Sequence, residues 1–528
     1  MPPTYAELLA ENAQIRAQNA QIRAQNAQIR AQNAALLTRM EALTQLVARG
    51  NERIDELLAI AQRKKRPEAP PRPPPAPRVL DAATQAAFDA RPRPPELPPK
   101  PKRSPKQKTG GRKPVPEHLP AEEHVVQPEV CPGCGGRALL ALDVLVEEKI
   151  TAVKEHIRRR RVVRKVCRCA ACHRRVTAPS LPAPYHRSKF TCEFLAWLIV
   201  QKFVLLVPLD RIRDLLALQG VKVTISVLVH LVQKCAELLG PIDGVHWRDL
   251  LAGRWMAMDA THLAVVVKGV PGTHRGFLEA FVRDELVVMQ YEPEKGGKTL
   301  VSKLATFSGH ILADAEHRHN GVFAREDVFE AGCNAHGRRK LEAAEKAQPE
   351  LAAEGGRYIS AIYAAEAQAR EQGLSGEALR EARQRHQAPL FEAIRQWADL
   401  VEPTLIPDDP LAGALRYYRN HWGALTRYLD VPWLPIDNSA CERVFQRVAK
   451  LRHACLFAGG TEGAHATALL MGLAATVRAH GLDPMAWFTW ALERRGTHAS
   501  QFGLSARELT PAAFRRAAQE AAQTSPVG

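Results

Sequence analysis

The chain has 528 residues, 24% of them charged, and a formal net charge of +17 at pH 7. That length predicts three or four folding units, and the charge favours a polyanionic partner. Ten cysteines in so long a chain, no basic leader before an apolar core, and no apolar run of the roughly 20 residues that span a bilayer argue against a disulfide-built secreted protein or a membrane protein; the expectation is a bacterial, cytoplasmic protein.

Residues 1–62 carry a repeat, Asn12-Ala-Gln-Ile15-Arg-Ala-Gln, which recurs from Asn19 and from Asn26. It sets Asn12, Asn19, Asn26 and Asn33 at heptad a positions and Ile15, Ile22, Ile29 and Leu36 at d, which predicts a coiled coil. Asn at a favours a parallel homodimer, with a trimer or an intramolecular hairpin as the competing arrangements. Residues 63–117 are rich in Pro, Lys and Arg. Between Arg63 and Lys113 fifteen basic residues face four acids, and the predicted state is a semi-extended basic linker with a helical island near Asp81 to Asp89. Such a tether lets the coiled coil and the remainder engage DNA semi-independently.

In residues 118–180, Cys131-Pro-Gly-Cys134 and Cys169-Ala-Ala-Cys172 form two C-x₂-C pairs. Cys131, Cys134, Cys169 and Cys172 at this spacing suit one tetrahedral Zn²⁺ held by a ribbon; a redox dithiol is the rival reading, and Cys167 is a competing thiol. Ten basic residues face one acid between Lys154 and Arg175, and the run Arg158, Arg159, Arg160 and Arg161 marks a basic face for DNA. Residues 181–249 read as helices at Phe194–Phe203, Leu209–Gln219 and Ser226–Leu239, either a helix-turn-helix or plain packing helices.

Residues 250–340 switch to a strand pattern. Trp255-Met-Ala-Met-Asp259 is an apolar run that ends in an acid, and strand-like segments follow at Leu263–Val267, Gly276–Val282 and Glu285–Tyr291. After a predicted helix around Thr299–Phe307, His310-Ile-Leu-Ala-Asp314 again ends an apolar run in an acid. Acids on the first and fourth strands match the ribonuclease-H-like order, in which those strands lie side by side; each acid taken singly also reads as a strand-end turn residue. Residues 341–429 are predicted to be an all-α insertion. Residues 430–480 then return to the catalytic fold, where Pro435-Ile-Asp-Asn-Ser-Ala-Cys-Glu442-Arg443 places Glu442 in the first turns of a helix, with Asp437 as a cap. Residues 481–528 form a helical tail. Hard oxygen ligands converging from separate elements are what a two-Mg²⁺ site requires.

Pro435 to Arg443, Leu451-Arg452-His453-Ala454-Cys455-Leu456-Phe457-Ala458-Gly459 and Gly481-Leu482-Asp483-Pro484 resemble the C-terminal signature of transposases of the insertion-sequence-66 family. Gly110-Gly111-Arg112-Lys113-Pro114, His118-Leu119-Pro120, the paired C-x₂-C, Val207-Pro208-Leu209 and Gly332-Cys333-Asn334-Ala335-His336 followed by Arg338-Arg339-Lys340 recur in the same order. The resemblance implies a DDE transposase of multidomain α+β and α/β build: N-terminal coiled coil, zinc ribbon, helical DNA-binding region, and ribonuclease-H-like catalytic domain with an all-α insertion. Asp259, Asp314 and Glu442 are then the catalytic acids and Mg²⁺ (or Mn²⁺) the cofactor, beside Zn²⁺ in the ribbon. Partners are double-stranded DNA at element ends and target, a second copy of the chain, and small accessory proteins of the same element. Arg112, Lys113 and Arg452 join the arginine run as DNA contacts. His336 lies in a Cys-x-x-His seen in several DDE groups, in either a catalytic or a structural role. The chain departs from the family pattern at Ala260, at Ala315-Glu316 where a Gly-Tyr pair is usual, and at Ser439. The competing functions are a DNA-binding regulator with a decayed catalytic domain and a structure-specific nuclease.

Overall fold

A computed structural model describes residues 80–96, 157, 160, 166–168, 175–177, 183–269, 271–497 and 503–524. The coiled coil, most of the linker, the four ribbon cysteines and Arg112, Lys113, Arg158, Arg159 and Arg161 lie outside the described residues. The expected helical island is present as α1 (Ala82–Asp89), capped by Asp81, whose carboxylate accepts the Thr84 amide. It is anchored. The Arg91 guanidinium packs over the Phe88 ring at 4.0 Å and donates to the buried Glu354 carboxylate at 2.9 and 3.2 Å. A carboxylate removed from water requires such a partner, so the middle of the linker is tied down where a free tether was expected.

Strands β1 (Val166–Arg168) and β2 (Arg175–Thr177) pair antiparallel and flank the second C-x₂-C in sequence. The helical region follows with α2 (Cys192–Ile199), which runs on into a π-helical turn over Val200–Val204, then α3 (Leu209–Leu218) and α4 (Ile225–Leu251). Helix α4 continues well past the expected end at Leu239 and through Pro241. Burial of Leu239, Ile242, Val245 and Leu250 offsets the lost hydrogen bond of an internal proline. Among the described residues, α4 is the one helix whose length and apolar composition would suffice to cross a membrane; here its apolar side chains form part of the protein core.

The apolar runs beyond Gly253 build a five-stranded sheet from β3 (Trp255–Val265), β4 (His274–Arg283), β5 (Leu286–Glu292), β6 (Gly309–Ala313) and β7 (Val328–Gly332). Their order is β5-β4-β3-β6-β7, with β3, β4 and β5 antiparallel and β3, β6 and β7 parallel. The expected adjacency of the first and fourth strands is observed. The apolar run to Asp259 and the segment at Leu263 form one continuous strand, because all of 257–265 pairs with β4.

Alternation along the strands separates two cores. Met256, Met258, Ile311 and Ala313 face a small core with Phe281, Leu300 of α5 (Gly297–Lys303) and Val322 of α6 (Asn320–Phe323). Ala257 and Leu312 face the large core, which includes the helical region and the C-terminal helices. Asp259 and Asp314 have the parity of Ala257 and Leu312 and so belong to that second face.

After β7 the chain is helical through α7 (Asn334–Ala344), α8 (Pro349–Glu371), α9 (Gly376–His386), α10 (Ala388–Val401), α11 (Pro410–Asn420) and α12 (Trp422–Thr426), of which all but the start of α7 fall within the expected insertion, 341–429. The apolar periodicity of Ser375–Leu400 predicts a single helix, but the structure breaks it at Gln387, two residues before Pro389, where a proline in the first turn starts a new helix. Helix α13 (Ser439–Cys455) then crosses the sheet, followed by α14 (Thr461–Ala479), α15 (Pro484–Arg495) and α16 (Pro511–Thr524). Helix α14 lies close on β5. A Cβ at Gly472 would come within 2.9 Å of the Met289 amide, and the Thr476 hydroxyl bonds both the N–H and the C=O of Val287 at 3.0 and 2.9 Å.

Candidate active site

The site is built outward from the β3–β6 register. Trp255, Met256 and Ala257 pair with His310, Ile311 and Leu312; two residues further along each chain stand Asp259 and Asp314. The register is set at the start of β6, where Gly309 has φ +126° and a Cβ would stand 2.3 Å from the Arg254 carbonyl. Only glycine permits that approach, which lets the His310 amide donate to the same carbonyl at 3.0 Å.

Asp259 is largely withdrawn from water, and burial pushes its carboxyl up to about 6; the nearby charges of Asp314 and Glu316 add to the rise. Its Oδ1 accepts the Ala260 amide at 2.7 Å. Burial, followed by Glu316, also raises Asp314, whose Oδ1 is buried with no hydrogen-bond donor. The His319 ring bonds the Asp314 backbone carbonyl at 3.0 Å; at 3.9 Å from the carboxylate it gives that group no hydrogen bond. Burial raises Glu316 too, but the Lys295 hydrogen bond and the charges of Lys295 and Arg318 outweigh it and hold the carboxyl below the usual range. Two adjacent carboxylates driven upward are strained electrostatically, and a cation between them would relieve both.

Glu442 reaches this region through the start of α13. The Asn438 side-chain amide donates to the Met258 carbonyl at 2.9 Å, one residue before Asp259, and Asp437 caps the helix by accepting the Ser439 amide at 3.0 Å while its other oxygen accepts the Tyr363 hydroxyl at 2.8 Å. Asp437 therefore serves the helix start. Glu442 lies one turn on, and its carboxylate accepts Arg339 at 2.6 Å. Cys333 caps α7 and His336 lies in its first turn; burial, then Arg339, lowers the His336 ring. The ligand atoms of Cys333, His336 and Glu442 all lie within 4.8 Å of one another, as do those of Asp314, Glu316 and His319. The structure thus sets Asp259 beside Asp314 and gathers Glu442 with His336.

Removing the Asn438 amide leaves the Met258 carbonyl without its donor, at about 1–3 kcal/mol for a buried group. Asn438→Ala is expected to lower stability by that amount in urea unfolding and to weaken divalent-cation binding several-fold in calorimetry, because α13 loses its fixing point beside Asp259.

Residues 187–466 match the family described as "Transposase IS66 family". The chain belongs to the IS66 transposase family. It is also similar to three uncharacterized proteins of Sinorhizobium fredii. One, y4jD, is 26% identical over 72% of this chain and 78% of its own length; y4hP is 23% identical over 73% and 74%. Membership of a transposase family implies a nucleic-acid-processing enzyme that binds DNA.

Within this IS66 chain, Arg452 on the last turn of α13 is engaged internally: it donates to the Thr261 hydroxyl at 3.1 Å and the His262 carbonyl at 2.9 Å. Arg160 pairs with Glu193 at 2.8 Å. The signature segment after α13 has a structural role as well, because Ala458 extends the free edge of β3 by bonding Ala264 and Val266 at 2.9 Å each. Lys295, Arg339 and Tyr417 were not among the expected site residues. Lys295 acts electrostatically on Asp259 and Asp314; Tyr417, its hydroxyl raised by burial and then by Cys333 and Asp314, comes from the insertion. Arg338-Arg339-Lys340 was visible as a basic run, whereas nothing in the sequence around Lys295 or Tyr417 marks them.

Proposed function

We propose that the protein is a DNA transposase of ribonuclease-H-like fold whose Asp259, Asp314 and Glu442 hold Mg²⁺. The observation that carries this reading is the β3–β6 register, which sets two large-core-face carboxylates side by side, with the helix bearing Glu442 fixed to β3 through Asn438. All donors are carboxylate oxygens, and the orphaned Asp314 Oδ1 supports a fit to a hard cation. When bound, a Mg²⁺ pair activates water and steadies the leaving oxygen of a phosphodiester. The chain's own contribution is positioning and charge. Lys295 keeps Glu316 ionised beside Asp314, and Arg339 lends positive charge at Glu442, where a DNA phosphate would lie. His336, lowered by burial and Arg339, is neutral at physiological pH and able to accept or donate one proton at that phosphate.

In this reading the coiled coil pairs two chains and hence two terminal inverted repeats. The Zn²⁺ ribbon with its arginine run, together with Arg112 and Lys113, grips DNA in the bacterial nucleoid, with accessory proteins of the element as further partners. The test uses the purified full chain, a duplex carrying the terminal inverted repeats and Mg²⁺. The expected products are nicks that leave 3′ hydroxyls at the element ends, followed by end-joined molecules. DNA binding without any metal-dependent cleavage would overturn the catalytic reading in favour of a regulator; cleavage without preference for the ends, and without joining, would favour a nuclease.

A further inference from the structure

Cys333, His336 and Glu442 form a donor set of a different chemical kind from the carboxylates beside them. They come from two elements: the cap and first turn of α7, and the first turn of α13. Their ligand atoms already lie within 4.8 Å of one another. A tetrahedral Zn²⁺ with bonds of roughly 2.0–2.3 Å places its ligand atoms about 3.3–3.8 Å apart, so closure by small side-chain movements suffices.

Two independent observations point to a ligand here. The His336 Nδ1 is buried and has no hydrogen-bond partner. Cys333 is fully buried and unoxidised; its Sγ accepts the Asn438 backbone amide at 3.3 Å, the kind of outer hydrogen bond that steadies a metal-bound thiolate. Thiolate, imidazole and carboxylate together prefer Zn²⁺ over Mg²⁺, because sulfur and nitrogen donors suit the softer ion. Arg339 opposes the site, since its guanidinium holds the same Glu442 carboxylate at 2.6 Å and has to share or yield it.

We infer that Cys333, His336 and Glu442 form a capture site for a thiophilic divalent cation, Zn²⁺ by preference, which withdraws Glu442 from Asp259 and Asp314 and so inhibits the enzyme. The binding site stands on its own; the inhibition rests on the role proposed for Glu442. Cys333 binds as thiolate and releases its proton to solvent. Three protein ligands leave a fourth position for water.

The experiment titrates the chelator-stripped full chain with Zn²⁺ and with Co²⁺, whose thiolate complexes absorb in the near ultraviolet. The expected result is one equivalent fewer in Cys333→Ser and in His336→Ala than in the parent, with the corresponding loss of Co²⁺–thiolate absorbance in Cys333→Ser. The cysteines at 131, 134, 169 and 172 are unchanged in all three chains, so the difference reports this site alone. Equal stoichiometry and equal spectra would overturn it. If circular dichroism shows that Cys333→Ser does not fold, His336→Ala in the first turn of α7 carries the comparison.

For the inhibition, micromolar Zn²⁺ added to Mg²⁺-supported nicking is expected to suppress the parent at least tenfold more than Cys333→Ser, each measured against its own zinc-free rate. Equal sensitivity would overturn the inhibitory role. If the parent does not nick in Mg²⁺ at all, the catalytic reading falls while the stoichiometry still decides the site.

Discussion

Asp259→Asn is expected to abolish Mg²⁺-dependent nicking, a loss on the order of 10³-fold or more, and at the same time to make the metal-free protein more stable at neutral pH. Both effects follow from one geometry. Burial, with Asp314 and Glu316 nearby, pushes Asp259 up to about 6, against roughly 3.9 in an unfolded chain. Between about pH 4 and 6 the native state therefore binds more protons than the unfolded state. The stability attached to this group is complete below about pH 4, declines as pH rises to 6 and remains lower above it.

An asparagine carries no charge to bury, so at pH 7.5 the variant gains about 1–3 kcal/mol over the parent, and the gap closes near pH 4. Urea unfolding of both chains without divalent cations reads this directly. Added Mg²⁺ should raise the stability of the parent and leave Asp259→Asn nearly unmoved, because a ligand stabilises only the state that binds it. A variant less stable than its parent at pH 7.5, or one that still cuts, would contradict the site.

Glu366→Ala is expected to destabilise the helical insertion by about 3–5 kcal/mol. Glu366 and Arg383 are both almost inaccessible, at 3% and 1% exposure. They form a two-pronged pair at 2.7 and 2.9 Å, and the same carboxylate accepts Gln387 at 2.9 Å. Gln387 in turn accepts the Tyr428 hydroxyl at 2.5 Å, and Arg383 reaches the Tyr428 carbonyl at 2.8 Å. The network ties α8 and α9 to the segment that returns the chain to the sheet. Removing the carboxylate strands a buried guanidinium, whereas Glu366→Gln keeps the volume and part of the bonding and should cost less. Thermal unfolding of the two variants orders them, and equal stability of parent and Glu366→Ala would rule out this network as a structural tie.

The apolar runs at Trp255–Met258 and Ile311–Ala313 were legible because a short unbroken apolar run marks a strand buried on both faces; that Asp259 lies within β3, which continues to Val265, was not. The strand order followed from three strands, a helix and a further strand in succession. The helical insertion was also legible from its periodicity, while its internal break at Gln387 depended on a proline effect that the longer apolar pattern masked. The linker's anchor was not readable: Arg91 and Glu354 are 263 residues apart, and neither differs in sequence from a solvated charge.

What the sequence by itself determined about this protein is therefore local and periodic: which segments are strands and helices, which apolar runs carry an acid, and which motif opens α13. Only the tertiary structure decided which groups lie near one another in space. Register beside Gly309 aligned Asp259 with Asp314, and the Asn438 bond to Met258 anchored beside β3 the helix that carries Glu442. Folding also set Lys295, Arg339 and Tyr417 around them. Those assignments depend on distances through space between residues far apart in sequence, and a carboxylate's charge state depends on burial, which no linear pattern encodes.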